Sequence, residues 1–336
     1  MTDKLRWGIL STARINRAVL DPIKNAPRSE LAAVASRNLE KAQNYAAKNG
    51  IPQAYGSYEE LLADPNIDAI YNSLPNNLHK EWTVKAAQAG KHVLCEKPIV
   101  LTEPELDEIE AAAQANNVVI FEAFMYLHHP QTRKALEMIQ AGQLGDLQLI
   151  NSWFNYYLPA ENTANIRLYP KLGGGSLWDV GVYPNSLAIV MAQAGPPVEV
   201  WASQLKGETG IDVSLVGQMK FTNGATAQIS CGFRSPFRQG AHIIGEKGIL
   251  QISEPWKPCT DGQASVMELY TGGDDPSDTI IIPAEGNNPY LHEVMTMEAC
   301  ALDGAAPLVP LSLSRDFLRS VLALYQSAET GQVVHL

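Results

Sequence analysis

The chain has 336 residues, which is long for one hydrophobic core and predicts two domains. Its formal net charge of −11 argues against a nucleic-acid surface, and its four scattered cysteines form no C-x-x-C pattern for zinc or a disulfide framework. No segment supplies the roughly 20 apolar residues of a membrane-spanning helix, and the first apolar run is too short for a signal peptide, so we expect a cytoplasmic protein.

The first predicted strand, Trp7 to Leu10, leads into a helical pattern that opens at Ser11. A strand, a small-residue turn and a helix form a phosphate-binding unit, because the helix N-terminus attracts a pyrophosphate. The fingerprint G-x-G-x-x-G is degenerate here, with Gly8 retained and Ser11 and Ala13 at small-residue positions. The predicted cofactor contacts in this turn are Gly8, Ser11, Thr12, Ala13, Arg14 and Ile15.

The second predicted strand, Leu31 to Ala35, is followed by Ser36 and Arg37 instead of an acidic residue. An acid at this place would bind the ribose 2′-hydroxyl, whereas a guanidinium binds phosphate oxygens. The sequence therefore predicts NADP(H) in preference to NAD(H). The alternative is that Arg37 only begins the solvated helix Leu39 to Asn49.

A strand from Ile67 to Leu74 ends in a Pro75-Asn76-Asn77 turn, and a helix from His79 to Ala89 follows. His79 stands near the start of this helix. Its side chain either contacts the cofactor or caps and packs the helix, and the sequence leaves both open.

The stretch Gly90 to Pro98 contains a short apolar strand, Val93 to Cys95, that ends in Glu96, Lys97 and Pro98. Open α/β sheets bind ligands at the carboxyl ends of their strands, so this pattern predicts Lys97 at a functional edge. The alternative is a surface Glu-Lys pair in a turn.

The β-α alternation continues through a helix, Glu103 to Asn116, and a strand, Val118 to Phe121, and then stops. This alternation is typical of a doubly wound parallel sheet, so residues 1–121 are predicted to form an α/β Rossmann domain. Residues 122–336 change to runs with strand alternation separated by turn signals, and predict an α+β domain with a large, mostly antiparallel open sheet. Its predicted helices are Pro130 to Ala141, Asn288 to Leu302 and Ser312 to Ala328, and its predicted strands are Leu147 to Tyr157, Val198 to Leu205, Val213 to Phe221, Ala225 to Phe233, His242 to Ile244, Gly248 to Ile252, Val266 to Tyr270 and Thr279 to Ile282.

A glycine-rich stretch, Gly173 to Tyr183, leads into an apolar helix that ends near Gly195. Asp179 and Tyr183 are four residues apart and would share one helix face, while the three glycines would let the backbone approach a flat or bulky group. A nearby cation favours tyrosinate, so Lys97 would make Tyr183 a better proton shuttle, with Asp179 orienting it or the substrate. The alternative for Tyr183 is an aromatic side chain packed in the core.

The adjacent histidines His128 and His129 have no matching acid or cysteine pattern, so we expect no metal site.

Together, Gly8 to Ile15, Pro75-Asn76 with His79, Gly90 to Pro98, and Gly173 to Tyr183 resemble the glucose–fructose oxidoreductase/inositol dehydrogenase (Gfo/Idh/MocA) family. The resemblance covers essentially the whole chain. The stretch Glu122 to Tyr126, with His128 to Gln131, is similar to the branch of NADP-dependent D-xylose dehydrogenases and dimeric dihydrodiol dehydrogenases. Asn165-Ile166-Arg167 also fits this branch, whereas Leu127 stands where the branch leads us to expect arginine.

The resemblance implies an NADP(H)-dependent oxidoreductase that acts on a sugar or cyclic polyol, with a C-terminal sheet that pairs subunits into a homodimer or homotetramer. It implies that Lys97 is catalytic, that Tyr183 is the acid/base and that Asp179 belongs to the same site. The other implied cofactor contacts are Leu74, Pro75, Asn76, His79, Glu96, Lys97 and Arg167.

Two other functions stay open. A cofactor-dependent glycosidase on the same fold would use NADP⁺ without consuming it. A non-catalytic NADP(H)-binding sensor would need neither Lys97 nor Tyr183. The sequence names neither the substrate nor the physiological direction.

Overall fold

The computed structural model describes residues 4–162 and 165–336, which form two compact units. One unit runs to His128 and adds Asn288–Ser314. The other contains His129–Asn287 and Arg315–Leu336. The helices, in chain order, are α1 Asn16–Asn25, α2 Leu39–Asn49, α3 Tyr58–Ala63, α4 His79–Gln88, α5 Glu103–Asn116, α6 Met125–His128, α7 Pro130–Gln140, α8 Val182–Ala192, α9 Pro289–Asp303 and α10 Leu311–Thr330.

The first unit is built on a six-stranded, wholly parallel sheet, which confirms the predicted Rossmann arrangement. Its strands lie in the order β3-β2-β1-β4-β5-β6. The strand bounds are β1 Leu5–Leu10, β2 Ser29–Ala35, β3 Gln53–Tyr55, β4 Ala69–Asn72, β5 His92–Glu96 and β6 Ile120–Ala123.

Local sequence signals explain where the helices of this unit begin and end. The side chains of Asn38 and Ser57 accept hydrogen bonds from the amides of Lys41 and Glu60, which caps α2 and α3. Thr102 forms a capping box at the start of α5, and Gly50 ends α2 at a φ of 64°.

Helix α9 returns to the first unit from far along the chain. Its Glu298 carboxylate accepts hydrogen bonds from the Ser29 hydroxyl at 2.7 Å and from the Arg28 amide at 2.9 Å. The units therefore do not follow a single division at residues 121 and 122. The periodicity of a helix carries no information about which sheet the helix joins.

The second unit is built on a nine-stranded sheet in the order β14-β13-β12-β11-β7-β10-β9-β8-β15. All neighbouring strands are antiparallel except β7 and β10, which confirms the predicted large, mostly antiparallel sheet. The strand bounds are β7 Leu147–Tyr157, β8 Glu199–Lys206, β9 Asp212–Lys220, β10 Thr226–Gly232, β11 Arg234–Gly245, β12 Ile249–Ile252, β13 Ser265–Tyr270, β14 Asp278–Ile282 and β15 Val334–His335.

Strand β11 differs most from the sequence predictions, which also lack the short strands β3 and β15. β11 is much longer than the predicted His242 to Ile244, because a register shift between Arg234 and Arg238 interrupts the alternation that marks a strand. The short strands β3 and β15 have too few residues to show a period. Within the described residues, no helix is long and apolar enough to cross a membrane.

Candidate functional site

The turn between β1 and α1 is fixed by a small polar network. Ser11 has a φ of 86°, and its carbonyl accepts a hydrogen bond from Asn16 Nδ2 at 2.9 Å. The Ser73 hydroxyl, just after β4, donates to Asn16 Oδ1 at 2.6 Å and so connects the end of β4 to the start of α1. Helix α1 has no side-chain cap and no acidic residue in its first turn, so the positive end of its dipole is compatible with an anion.

Gly8 serves close packing inside the unit. A Cβ at this position would lie 2.8 Å from Leu61 Cδ2 in α3, which is nearer than real Cβ atoms approach. The glycine therefore lets α3 pack on the sheet. Its predicted contact with a cofactor stays a prediction.

The end of β2 presents a buried serine and an exposed arginine. Ser36 is tied to β3 through its amide, which donates to the Tyr55 carbonyl at 3.1 Å. Arg37 lies beside the Tyr58 phenol: burial raises the pKa of Tyr58 and the Arg37 charge opposes that rise. Residues 36–38 include no carboxylate, so this strand end suits a phosphate better than a bare ribose diol.

His79 connects the ends of β4 and β5. Its ring is buried, with Nε2 2.7 Å from the Leu74 carbonyl and Nδ1 2.7 Å from the Pro98 carbonyl. Burial lowers the pKa of His79, and the two carbonyl contacts oppose that decrease. Because both ring nitrogens face backbone groups, the structure favours the packing alternative for His79 over a hydrogen bond to the cofactor.

Three other predicted cofactor contacts precede that histidine in the chain. Leu74 is buried at the end of β4. Pro75 and Asn76 are half-buried in the following turn.

Lys97 follows directly after β5, at the carboxyl edge of the parallel sheet, and is partly exposed. The preceding residue, Glu96, accepts a hydrogen bond from the Tyr71 hydroxyl of β4. The positive charge of Lys97 lowers the pKa values of His79 and of Glu122, a buried acid at the end of β6. Lys97 thus stands at the strand end where ligands of such sheets bind.

In the second unit, Asp179 forms an ion pair and a hydrogen bond at the same oxygen. Arg167 Nε lies 2.8 Å from Asp179 Oδ2, and the Tyr156 hydroxyl donates to that oxygen at 2.7 Å. Burial and the Asp179 charge raise the pKa of Tyr156. The sequence predicted Arg167 and Asp179 but missed Tyr156, which reads there as one residue of a β-rich run.

Tyr183 lies in α8, directly after a π-helix, Leu177–Gly181, that carries Asp179. Its side chain is 6% exposed, and its ring packs 5.5 Å from Phe154 and 5.8 Å from Trp256, measured between ring centroids. This aromatic packing fits the core alternative for the ring. The proton-shuttle role of the hydroxyl stays a prediction.

Asp212, in β9, anchors the chain that leads to the π-helix. Its carboxylate accepts hydrogen bonds from the Ser176 hydroxyl at 2.6 Å, the Leu177 amide at 2.7 Å and the Tyr325 hydroxyl at 2.7 Å. Sequence reasoning missed this residue because a single aspartate at a strand start carries no motif.

The glycines before the π-helix approach the protein's own chain. A Cβ on Gly174 would lie 2.5 Å from the Arg167 carbonyl oxygen, and one on Gly175 would lie 2.2 Å from Asp212 Oδ1. Their small size is therefore required by internal packing, with no need for a bulky ligand. Among residues 4–162 and 165–336, no three His, Cys, Asp or Glu side chains are placed to hold a metal ion.

Two family models match the chain. Residues 5–124 match the model described as "Oxidoreductase family, NAD-binding Rossmann fold", and residues 132–251 match the Gfo/Idh/MocA C-terminal domain.

Individual proteins are similar over nearly the whole length. D-xylose 1-dehydrogenase (NADP(+)) 2 of Haloferax volcanii is 36% identical over 334 residues, covering 99% of this chain and 100% of that protein. Trans-1,2-dihydrobenzene-1,2-diol dehydrogenase of Xenopus laevis is 34% identical over 92% of this chain and 93% of its own. The crystal structure of KijD10, a 3-ketoreductase from Actinomadura kijaniata solved with NADP and TDP-benzene, superposes with a TM-score of 0.86 at 27% identity, covering 96% and 98% of the two chains. By the Rossmann sheet, the large C-terminal sheet and these full-length similarities, the chain belongs to the Gfo/Idh/MocA family of oxidoreductases.

Proposed function

We propose that the protein is an NADP-dependent dehydrogenase or reductase that acts on a CH-OH group of a sugar or cyclic polyol. The observation that carries the proposal is the carboxyl edge of the parallel sheet. An uncapped α1 follows β1 there, Arg37 without an acid follows β2, and Lys97 follows β5. The relatives named for D-xylose and for a dihydrodiol support this substrate class.

NADP(H) is the cofactor that these residues would hold. The turn from Ser11 to Ile15, at the N-terminus of α1, would bind the pyrophosphate, and Ser36 and Arg37 would bind the 2′-phosphate. The NADP dependence in the name of the xylose relative and the NADP in the reductase complex support this assignment. When bound, NADP⁺ supplies the hydride acceptor for alcohol oxidation.

Lys97 and Tyr183 would handle the hydroxyl proton. A positive lysine stabilises negative charge that develops on the reacting oxygen, and a phenol near such a charge loses its proton more readily. Asp179, fixed by Arg167 and Tyr156, would orient the substrate. What supports these roles is the position of Lys97 at a strand end and the adjoining helical segments that carry Asp179 and Tyr183.

The first unit would bind the dinucleotide, and the second would bind substrate and pair subunits. The outward face of the nine-stranded sheet supports pairing, because large apolar side chains stand exposed along it: Trp201, Leu205, Val216, Ile249, Val266 and Ile281. Large apolar side chains exposed on one sheet face are typical of an interaction surface. We assign the protein to the cytoplasm, in keeping with four free cysteines.

The direct test is a panel of aldoses, inositols and cyclic diols incubated with NADP⁺ and followed by NADPH absorbance. We expect reduction of NADP⁺ with at least one aldose or diol and a lower rate with NAD⁺. Cleavage of glycosides without net NADPH formation would contradict the proposal and favour the glycosidase alternative.

A further inference from the structure

Glu122 is a buried acid at the carboxyl end of β6, beside the segment that carries Lys97. It is 3% exposed, and its backbone pairs in register with Cys95, two residues before the lysine. A buried carboxyl group is costly unless other groups compensate for the lost water. Its surroundings therefore indicate what it does.

One oxygen of Glu122 holds the backbone beyond Lys97. Glu122 Oε1 accepts a hydrogen bond from the Ile99 amide at 3.0 Å, and Ile99 is the first residue after Lys97 with an amide hydrogen, because Pro98 has none. Within the part of the chain that the structure describes, the other oxygen, Oε2, has no hydrogen-bond partner. The carboxyl is thus anchored at one oxygen only.

Side chains from two elements act on the pKa of Glu122. At the end of β5, the Lys97 charge lowers the pKa of Glu122 and the Glu96 charge raises it; Glu96 itself is bonded to Tyr71 and lies near Glu293. From α10, the Ser314 hydroxyl also lowers the pKa, although it lies outside hydrogen-bond geometry. Burial is the largest effect and raises the pKa of Glu122 to about 7.

We propose that Glu122 is a positioning residue for Lys97, which fixes the backbone after the lysine through Ile99 and supplies the negative charge that retains the ammonium proton. An opposite charge nearby favours the charged form of a group. Because Glu122 ionises as the solution becomes alkaline, its charge appears under the conditions that remove protons from amines. This inference rests on the proposed catalytic role of Lys97.

The test is the acetylation rate of the Lys97 amine across a pH series, since only the unprotonated amine reacts. The wild type and Glu122→Gln are labelled with trace acetic anhydride, and the Lys97 peptide is quantified against that of Lys48, which lies in the last turn of α2. Glutamine retains the acceptor oxygen for Ile99 and removes the charge. We expect the labelling midpoint to move to lower pH by about one unit, and the alkaline limb of kcat/KM to move with it.

Glu298→Gln is the matched control, because Glu298 is an equally buried acid of the same unit that binds Ser29 and Arg28. It should leave the Lys97 midpoint unchanged. A folded Glu122→Gln protein with the wild-type midpoint would overturn the inference. If Lys97→Met keeps full turnover, it is the proposed function that fails, whatever the labelling shows.

A second measurement keeps the inference testable if Glu122→Gln does not fold. Coupling between two charges is reciprocal, so removal of the Lys97 cation should raise the pKa of Glu122 further. The pH range over which the folded protein loses stability should then lie higher in Lys97→Met than in the wild type. Superimposable stability curves would overturn the inference.

Discussion

Arg37 is the charged side chain on which cofactor choice is expected to depend. It is exposed at the end of β2, where many dinucleotide folds carry an acid. Arg37→Asp should remove a phosphate partner and add repulsion, so we expect the ratio of kcat/KM for NADP⁺ to that for NAD⁺ to fall by at least about tenfold. Steady-state kinetics with both cofactors measure this ratio.

Lys48→Asp is the control for this change, because it makes the same charge reversal in the last turn of α2. It should leave the ratio unchanged. An unaltered ratio in Arg37→Asp would remove Arg37 from the cofactor site.

The carboxyl of Glu122 should make stability depend on pH. Its pKa in the folded protein is about 7 against an ordinary value of 4.5, so the folded state retains a proton that the unfolded chain loses between these values. The free energy of unfolding should therefore fall as pH rises through this window, by about 3 kcal/mol from this group. Denaturant titrations at several pH values measure the free energy of unfolding of wild type and Glu122→Gln, and the two values should converge or cross as pH rises. A constant difference between them would contradict the raised pKa of Glu122.

For single residues, the sequence located candidate side chains at strand ends better than it predicted what those side chains contact. Serine, arginine and lysine at strand ends follow from pattern alone, and the structure places Ser36, Arg37 and Lys97 at such ends. The sequence could not show that both nitrogens of His79 face carbonyl groups, or that Gly8 makes room for Leu61, because these contacts come from distant segments.

At the scale of elements, hydrophobic periodicity and turn residues located most of the helices and strands. These signals failed where the backbone departs from the regular period of a helix or strand. The π-helix Leu177–Gly181 is one such place, since its extra residue per turn is set by tertiary contacts, including those to Asp212.

Tyr325→Phe tests whether Asp212 holds that π-helix. The change removes one hydrogen bond of 2.7 Å to a buried carboxylate, so we expect the free energy of unfolding to fall by about 2 kcal/mol. Because Asp212 also binds Ser176 and Leu177, kcat should fall as well. Ser327→Ala, on the same helix but bonded to Ala202 and Gln332, should lower stability and spare kcat. Equal kcat values in both variants would contradict the anchoring role.

At the scale of the whole molecule, both sheets follow from the sequence, but the membership of α9 does not. A parallel sheet is recognisable because strands and helices alternate, and the antiparallel sheet because turns separate alternating strands. Helix α9 is joined to the first unit by hydrogen bonds from Arg28 and Ser29 to Glu298. Neither segment contains a sequence pattern that predicts these bonds.

The open sheet face of the second unit should pair subunits. Val216 is 47% exposed on this face, in register with Ser203 and Ser230 on the neighbouring strands. Val216→Glu buries a charge in the proposed interface, and light scattering should show a smaller molar mass than for the wild type. Leu308→Glu, at a 48% exposed position of the first unit, is the control and should keep the wild-type mass. A wild-type monomer, or an unchanged mass in Val216→Glu, would contradict the proposal.

Lys97, at the end of β5, is the residue proposed to take part directly in the redox chemistry. Lys97→Met should bind NADPH as the wild type does, measured by fluorescence titration, because the proposed pyrophosphate and 2′-phosphate contacts follow β1 and β2. Its kcat should fall by a factor on the order of 10² to 10⁴, as for loss of acid–base assistance. Lys80→Met, on α4, should retain full kcat. Wild-type turnover in Lys97→Met would contradict the account.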